Sequence, residues 1–172
     1  MEKNSKAIAE NVNIYDSETS LGFGISSKFI DQTRENIKSN DVNVLEDDIL
    51  SLHPADIADI FEILPQEDRK RLFTLLQHKL PPETLASIDE QVLKDIIENY
   101  KPSLLADLIE KLDTDDAAYI LENLDFKKRE DLLNQISNEA KILIVQALEF
   151  PEMSAGRLMQ RDYVAVPRYW NV

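Results

Sequence analysis

Apolar residues recur at every twelfth position between residues 52 and 148. The first column of this pattern comprises Leu52, Leu64, Leu76, Ile88, Tyr100, Leu112, Leu124, Ile136 and Leu148. The second comprises Ile60, Leu72, Thr84, Ile96, Leu108, Ile120, Leu132 and Ile144. The third comprises Phe61, Phe73, Leu85, Ile97, Ile109, Leu121, Leu133 and Val145. Only Thr84 interrupts the columns, and a fixed period of this kind indicates a helical repeat.

The length of the repeat predicts the size of each unit. Twelve residues accommodate a helix of about eight or nine residues and a turn of three or four. Isolated helices of this length are marginal in water, so each must bury its apolar face against its neighbours. The pattern therefore predicts an all-α fold, a compact superhelix of about eight to ten short helices, followed by a short C-terminal extended segment.

Helix start signals follow the same period. Prolines suited to a first helical turn are Pro54, Pro65, Pro81 or Pro82, and Pro102. Residues able to cap a helix N-terminus are Asp89, Asp113, Asp125 and Ser137. Before the repeat, a partial apolar stripe predicts a helix over residues 26–39, and Asp41 can cap a second short helix.

The chain divides into three parts by composition. Residues 1–25 are polar and aperiodic, which predicts a disordered or loosely attached leader. Residues 26–150 form the helical repeat. In residues 151–172 we expect a connecting helix over 152–159 and then a β-type run at 163–166, the first strand of a truncated second domain. The alternative is that this tail docks on the helices as an irregular segment.

The net charge of −14 narrows the choice of partners. Residues 46–150 carry 24 Asp and Glu against 11 Lys and Arg, so the acid lies on the repeat. Such a surface repels nucleic acid and attracts cations and basic proteins; a merely solvated acidic face is the alternative. The longest apolar run, residues 142–145, is far shorter than a membrane span, which predicts no direct membrane insertion by this segment.

Chemical motifs point away from an enzyme. The chain has no Cys, and its three glycines cannot form a phosphate-binding loop. Asp113 and Asp115 begin like a calcium-binding EF-hand loop, but Ala117 and Ala118 replace the next ligand and the glycine. The cluster is explained in part as the start of a helix.

A hydrated Mg²⁺ is compatible with the same cluster. Asp115 and Asp116 adjoin at a helix start, and Glu83 is available from an earlier repeat. Mg²⁺ retains most of its water and requires only one or two carboxylates.

Three motifs in the sequence resemble segments of the MgtE family of magnesium transporters. Residues 52–58 read LHPADIA and residues 112–118 read LDTDDAA, similar to two segments of that family's intracellular N domain. AGRLM at residues 155–159 and YVAV at residues 163–166 resemble the passage from the N domain into the paired CBS domains. The resemblance covers about residues 26–172.

The resemblance implies a regulatory, non-enzymatic role. In such transporters the N domain lies at the cytoplasmic face of the cell membrane, and its partners are the CBS domains and pore helices of the same protein, expected to be a homodimer. Mg²⁺ between acidic surfaces closes the pore when internal Mg²⁺ is high. Carried onto this sequence, the metal-binding positions are Glu83, Asp115 and Asp116, and the isolated domain is expected to bind Mg²⁺ weakly.

Two departures from the family pattern affect this expectation. Thr114 replaces a frequent proline, and Tyr119 stands where an acidic residue often occurs, which bears on how many ions are held. The rival hypothesis is an acidic, all-helical adaptor that binds a basic protein or helix without sensing metal.

Overall fold

A computed structural model describes residues 25–99, 101–151, 153–159 and 168–170. These residues contain eleven α-helices and confirm the all-α fold. The helices are α1 (Ser27–Ser39), α2 (Val42–Ile49), α3 (Pro54–Ile63), α4 (Gln66–Leu76), α5 (Glu83–Ser87), α6 (Glu90–Asn99), α7 (Pro102–Ile109), α8 (Thr114–Glu122), α9 (Phe126–Leu133), α10 (Asn138–Leu148) and α11 (Ala155–Leu158). The leader up to residue 24 and the predicted strand at 163–166 lie outside the described residues.

The twelve-residue period governs where the helices begin. Helices α2, α3, α4, α6, α7, α8, α9 and α10 begin at residues 42, 54, 66, 90, 102, 114, 126 and 138. The missing start, at residue 78, falls in a turn that ends in Pro81 and Pro82. Proline cannot continue a regular helix, so α5 begins late, at Glu83, and has only 5 residues.

The apolar columns form the core. Every residue of the second column is buried, and so is every residue of the third column up to Leu133. Val145, at the end of the third column, is 38% exposed because α10 is the last helix of the repeat. Thr84 keeps its place in the core and is fully buried. The periodicity thus identifies the core-facing side of each helix.

Several predicted start signals act as helix caps. The side chains of Asp125 and Ser137 accept hydrogen bonds from the backbone N–H groups of Lys128 and Ala140. Pro54 and Pro102 occupy first-turn positions, while Pro65 and Pro82 stand one position before their helices. Asp113 occupies the N-cap position of α8 but makes no side-chain capping bond.

Two arginines tie consecutive helices together in the same way. Arg69 Nε donates to the carbonyl of Phe61 at 2.7 Å, and Arg129 Nε donates to that of Leu121 at 2.8 Å. In both cases the arginine lies eight residues after the acceptor in the sequence. The acceptor is near the C-terminal end of the preceding helix, where carbonyl groups lack helical partners. The two arginines are sixty residues apart, which is five repeats.

Helices that are not consecutive in sequence stack on one another. The packed pairs include α2 with α4, α3 with α5, α5 with α8, α7 with α9, and α8 with α10. The short helix α5 is shared, because it packs against both α3 and α8. Its first residue, Glu83, is thereby brought to α8.

The segment that contains α11 folds back onto the repeat. The predicted connecting helix over residues 152–159 is shorter than expected, because α11 spans only Ala155–Leu158 and is capped by the Ser154 hydroxyl. Helix α11 packs against α10, and the Phe150 ring lies over Gly156. A β-carbon at Gly156 would come within 2.5 Å of that ring, so the contact requires glycine. In the described residues no helix is both long and apolar enough to cross a membrane.

Candidate cation site at the start of α8

The first turn of α8 carries two adjacent carboxylates, as the sequence predicts. Thr114 is the first residue of the helix, and Asp115 and Asp116 follow it. Glu83 is the first residue of α5, which packs against α8. Acidic residues favour such positions because the N-terminal end of a helix carries a partial positive charge.

The Asp116 carboxylate lies in an acidic environment. Its pKa is raised, chiefly because partial burial removes it from water, and further by the negative charges of Asp115, Asp113 and Glu83. Asp115 and Glu83 are therefore both within electrostatic reach of Asp116. The charged form of Asp116 is held at a cost that a nearby cation would offset.

Asp115 lines a cleft next to this cluster. Its Oδ1 atom is buried and has no hydrogen-bond partner. The cleft has a volume of about 220 Å³, and its other lining residues are Tyr119, Glu122, Met153, Arg157 and Leu158. Asp115, Tyr119 and Glu122 follow one another at helical spacing along one side of α8, and the remaining lining residues come from α11 and the turn before it.

Arg157 is a functional candidate that the sequence reasoning missed. It is only 3% exposed, and its Nη2 donates to the Ala118 carbonyl at 3.2 Å and to the carboxylate of Glu122. Its other terminal nitrogen, Nη1, is buried without a hydrogen-bond partner. The sequence feature that could have indicated its role is a charged residue within the otherwise uncharged motif AGRLM at residues 155–159. Buried arginine is rare unless it is paired, which points to a specific contact.

The described residues alone do not assemble a complete metal centre. No group of three or more His, Cys, Asp or Glu side chains in the described part of the chain is arranged to hold an ion. The unpartnered Oδ1 of Asp115 and the mutual repulsion around Asp116 do fit a hydrated Mg²⁺, which needs only one or two carboxylates. Further ligands would have to come from water or from another surface.

Comparison with known proteins identifies the repeat. Residues 52–153 match the family model described as the MgtE intracellular N domain. The fold is similar to a crystal structure described as the soluble part of a magnesium transporter, with a TM-score of 0.72 and 25% sequence identity. That match covers 80% of this chain and 54% of the other, so this chain spans about half the length of that structure. No curated protein matches the chain.

Proposed function

Because the chain belongs to the family of MgtE intracellular N domains, we propose that it is the regulatory Mg²⁺-sensing domain of a magnesium transporter or channel. In this proposal, the acidic helix starts at Glu83, Asp115 and Asp116 bind Mg²⁺ at an interface with CBS domains and pore helices of the same protein. Ion binding at high internal Mg²⁺ closes the pore. The domain itself neither catalyses a reaction nor transports ions.

The observation that supports the proposal is the acidic cluster at the start of α8. Asp116 is partly buried among three other carboxylates, and Asp115 places an unpartnered oxygen beside them. Since no three-ligand site exists in the described residues, the missing ligands are assigned to an opposing acidic surface. A cation would then be held only when both surfaces are together.

Electrostatic repulsion between acidic domains explains how Mg²⁺ could switch the pore between closed and open. A chain of net charge −14 repels other acidic surfaces, and a divalent cation between them turns that repulsion into attraction. Because the ion binds the assembled arrangement better than the separated one, rising Mg²⁺ shifts the population towards assembly. Falling Mg²⁺ allows the domains to separate, and the pore opens.

The direct test places Asp115→Asn together with Asp116→Asn in the full-length transporter. Asparagine keeps the size of each side chain and removes its charge, so we expect closure to require at least about tenfold more Mg²⁺. Ion flux in vesicles at graded internal Mg²⁺ measures this. The double variant Asp47→Asn and Asp131→Asn, which changes the net charge equally, is the control. An unchanged Mg²⁺ threshold in the first variant would refute the sensor role.

The isolated chain makes a second test. Without the opposing surface, its affinity for Mg²⁺ should be in the range of about a millimolar or weaker. Isothermal titration calorimetry on the 172-residue chain measures this affinity. A micromolar site on the chain alone would contradict the idea that the site is completed by a partner.

A second candidate function is an adaptor that binds a partner without metal. The observation in its favour is the exposed apolar side of α10, where Ile142 and Val145 are 57% and 38% exposed. If this function is correct, the chain should bind the CBS domains equally well in Mg²⁺ and in EDTA. Pull-down under both conditions separates the two candidates, because the sensor requires the cation.

A further inference from the structure

The cleft between α8 and α11 is lined by two carboxylates, from Asp115 and Glu122, and by the buried guanidinium of Arg157. Glu122 is bonded to Arg157, whereas the buried Oδ1 of Asp115 and the buried Nη1 of Arg157 have no hydrogen-bond partner. All three residues line the same space of about 220 Å³. That space has room for several water molecules, since each occupies about 30 Å³ in the liquid.

The related helix α3 provides an internal comparison. It lies sixty residues earlier in the repeat, where Glu62 corresponds to Glu122 and Ala55 corresponds to Asp115. Glu62 accepts a hydrogen bond from the backbone N–H of Asp89 at 2.7 Å, so its partner is a neutral donor, whereas the partner of Glu122 is the charged Arg157. Of these two helices, only α8 carries a carboxylate at this position, Asp115, and α8 is also the helix whose glutamate bonds an arginine.

We propose that Arg157 is a built-in counter-ion that competes with a divalent cation for Asp115 and Glu122 and thereby weakens Mg²⁺ binding by this domain. The inference deepens the proposed function and rests on it for the identity of the ion. The guanidinium already bonds the Glu122 carboxylate, so that carboxylate is unavailable as a metal ligand while the contact lasts. Its positive charge also repels a cation approaching Asp115.

The consequence is a higher threshold concentration of Mg²⁺ for binding in the cleft. With the arginine in place, only a high concentration of Mg²⁺, or an additional carboxylate from a partner, is sufficient to hold an ion in the cleft. The contact between Arg157 and the Ala118 carbonyl at 3.2 Å fixes the guanidinium on α8, so the counter-charge is held in a defined position. In this scheme Arg157 acts through its positive charge and its bond to Glu122, and it is not itself a metal ligand.

The test uses the Arg157→Met variant of the full chain. Methionine has a similar length and suits a cleft that Met153 and Leu158 also line. Glu122 is 42% exposed, so its carboxylate can be hydrated once the arginine is gone. We expect Mg²⁺ to bind this variant on the order of tenfold more tightly than the wild type, as the loss of one nearby charge implies. Calorimetry with MgCl₂ measures the affinity.

Thermal unfolding followed by circular dichroism provides a second readout. At equal ionic strength, MgCl₂ should raise the melting temperature of Arg157→Met above its value in NaCl, and it should do so much less for the wild type. Arg157→Lys keeps the charge and should stay within about twofold of the wild-type affinity. Asp115→Asn combined with Arg157→Met should lose the gain.

Two results would overturn the inference. One is a Mg²⁺ affinity and a Mg²⁺-dependent melting temperature of Arg157→Met that equal those of the wild type. The other is a gain that persists when Asp115→Asn is added, because the ion would then bind elsewhere. A purely structural role for Arg157 predicts an equal loss of stability in both salts. These measurements need no transporter, so they can succeed even if the full-length test of the sensor fails.

Discussion

At the scale of single residues, Thr84 is the polar member of the apolar columns. Its side chain is fully buried, and its Oγ1 has no hydrogen-bond partner. Burying a hydroxyl without a partner costs about 1–3 kcal/mol. Valine has nearly the same shape, so we expect Thr84→Val to raise the free energy of unfolding by about 1 kcal/mol. Urea unfolding at equilibrium measures the change.

Thr74 serves as the matched control. Its hydroxyl donates to the carbonyl of Lys70 at 2.8 Å on an exposed helix surface. Thr74→Val should therefore change the free energy of unfolding by no more than about 0.5 kcal/mol. A marked loss of stability in Thr84→Val would mean that the hydroxyl makes a favourable interaction in solution.

Asp116 gives a prediction for pH dependence. Burial and neighbouring carboxylates raise its pKa in the folded state, so the folded protein binds this proton more readily than the unfolded chain. The charged carboxylate is therefore a source of instability at neutral pH, and this is relieved as the pH falls through the raised pKa. Asp116→Asn should raise the melting temperature at pH 7, and the gain should shrink towards about pH 4.

Thermal scans across that pH range provide the measurement. Asp131→Asn, at an exposed position on α9, controls for the general reduction of negative charge. If the two variants gain equally at pH 7, the effect belongs to net charge and not to the cluster around Asp116.

At the scale of elements, Arg69 and Arg129 each act as a clamp, because the guanidinium joins its own helix to the end of the helix before it. Arg129 donates to the carbonyls of Leu121, Glu122 and Leu124, at the end of α8. Hydrogen bonds from a charged group are worth about 1.5–3 kcal/mol. We expect Arg129→Met to lower the free energy of unfolding by about 2–3 kcal/mol, and Arg129→Lys to recover only part of it because lysine lacks the planar fork.

Chemical denaturation of these variants tests the clamp. The exposed Arg71, which donates to the side chain of Asn40 at 3.2 Å, is the control, and Arg71→Met should cost less than about 0.5 kcal/mol. A similar small loss for Arg129→Met would show that water satisfies the helix-end carbonyls equally well.

The sequence pattern predicts most of the helices and their buried sides, but less of the candidate site. Columns at a fixed period predict which residues are buried, because every short helix must bury the same side. The pattern does not predict the late start of α5, since it depends on how Pro81 and Pro82 interrupt one unit. It also does not predict the Arg157–Glu122 pair, because that contact joins residues 35 positions apart through tertiary packing.

At the scale of the whole molecule, the charge of −14 sets a general dependence on salt. Mutual repulsion of like charges opposes the compact state, and dissolved ions screen it over a Debye length that falls from about 30 Å at 0.01 M to about 10 Å at 0.1 M. We expect the melting temperature to rise by a few degrees over this range of NaCl. Differential scanning calorimetry measures it, and a melting temperature that falls with salt would contradict the dominance of repulsion.

The stacking of helices two units apart also bears on the speed of folding. Helices α2 and α4, α7 and α9, and α8 and α10 begin 24 residues apart, so many native contacts close only short loops of chain. Helical proteins with such local contacts fold in microseconds to milliseconds. Because Arg69 and Arg129 make the same contact sixty residues apart, and neighbouring units of a repeat can each nucleate folding, we expect folding to be able to start in either half of the chain.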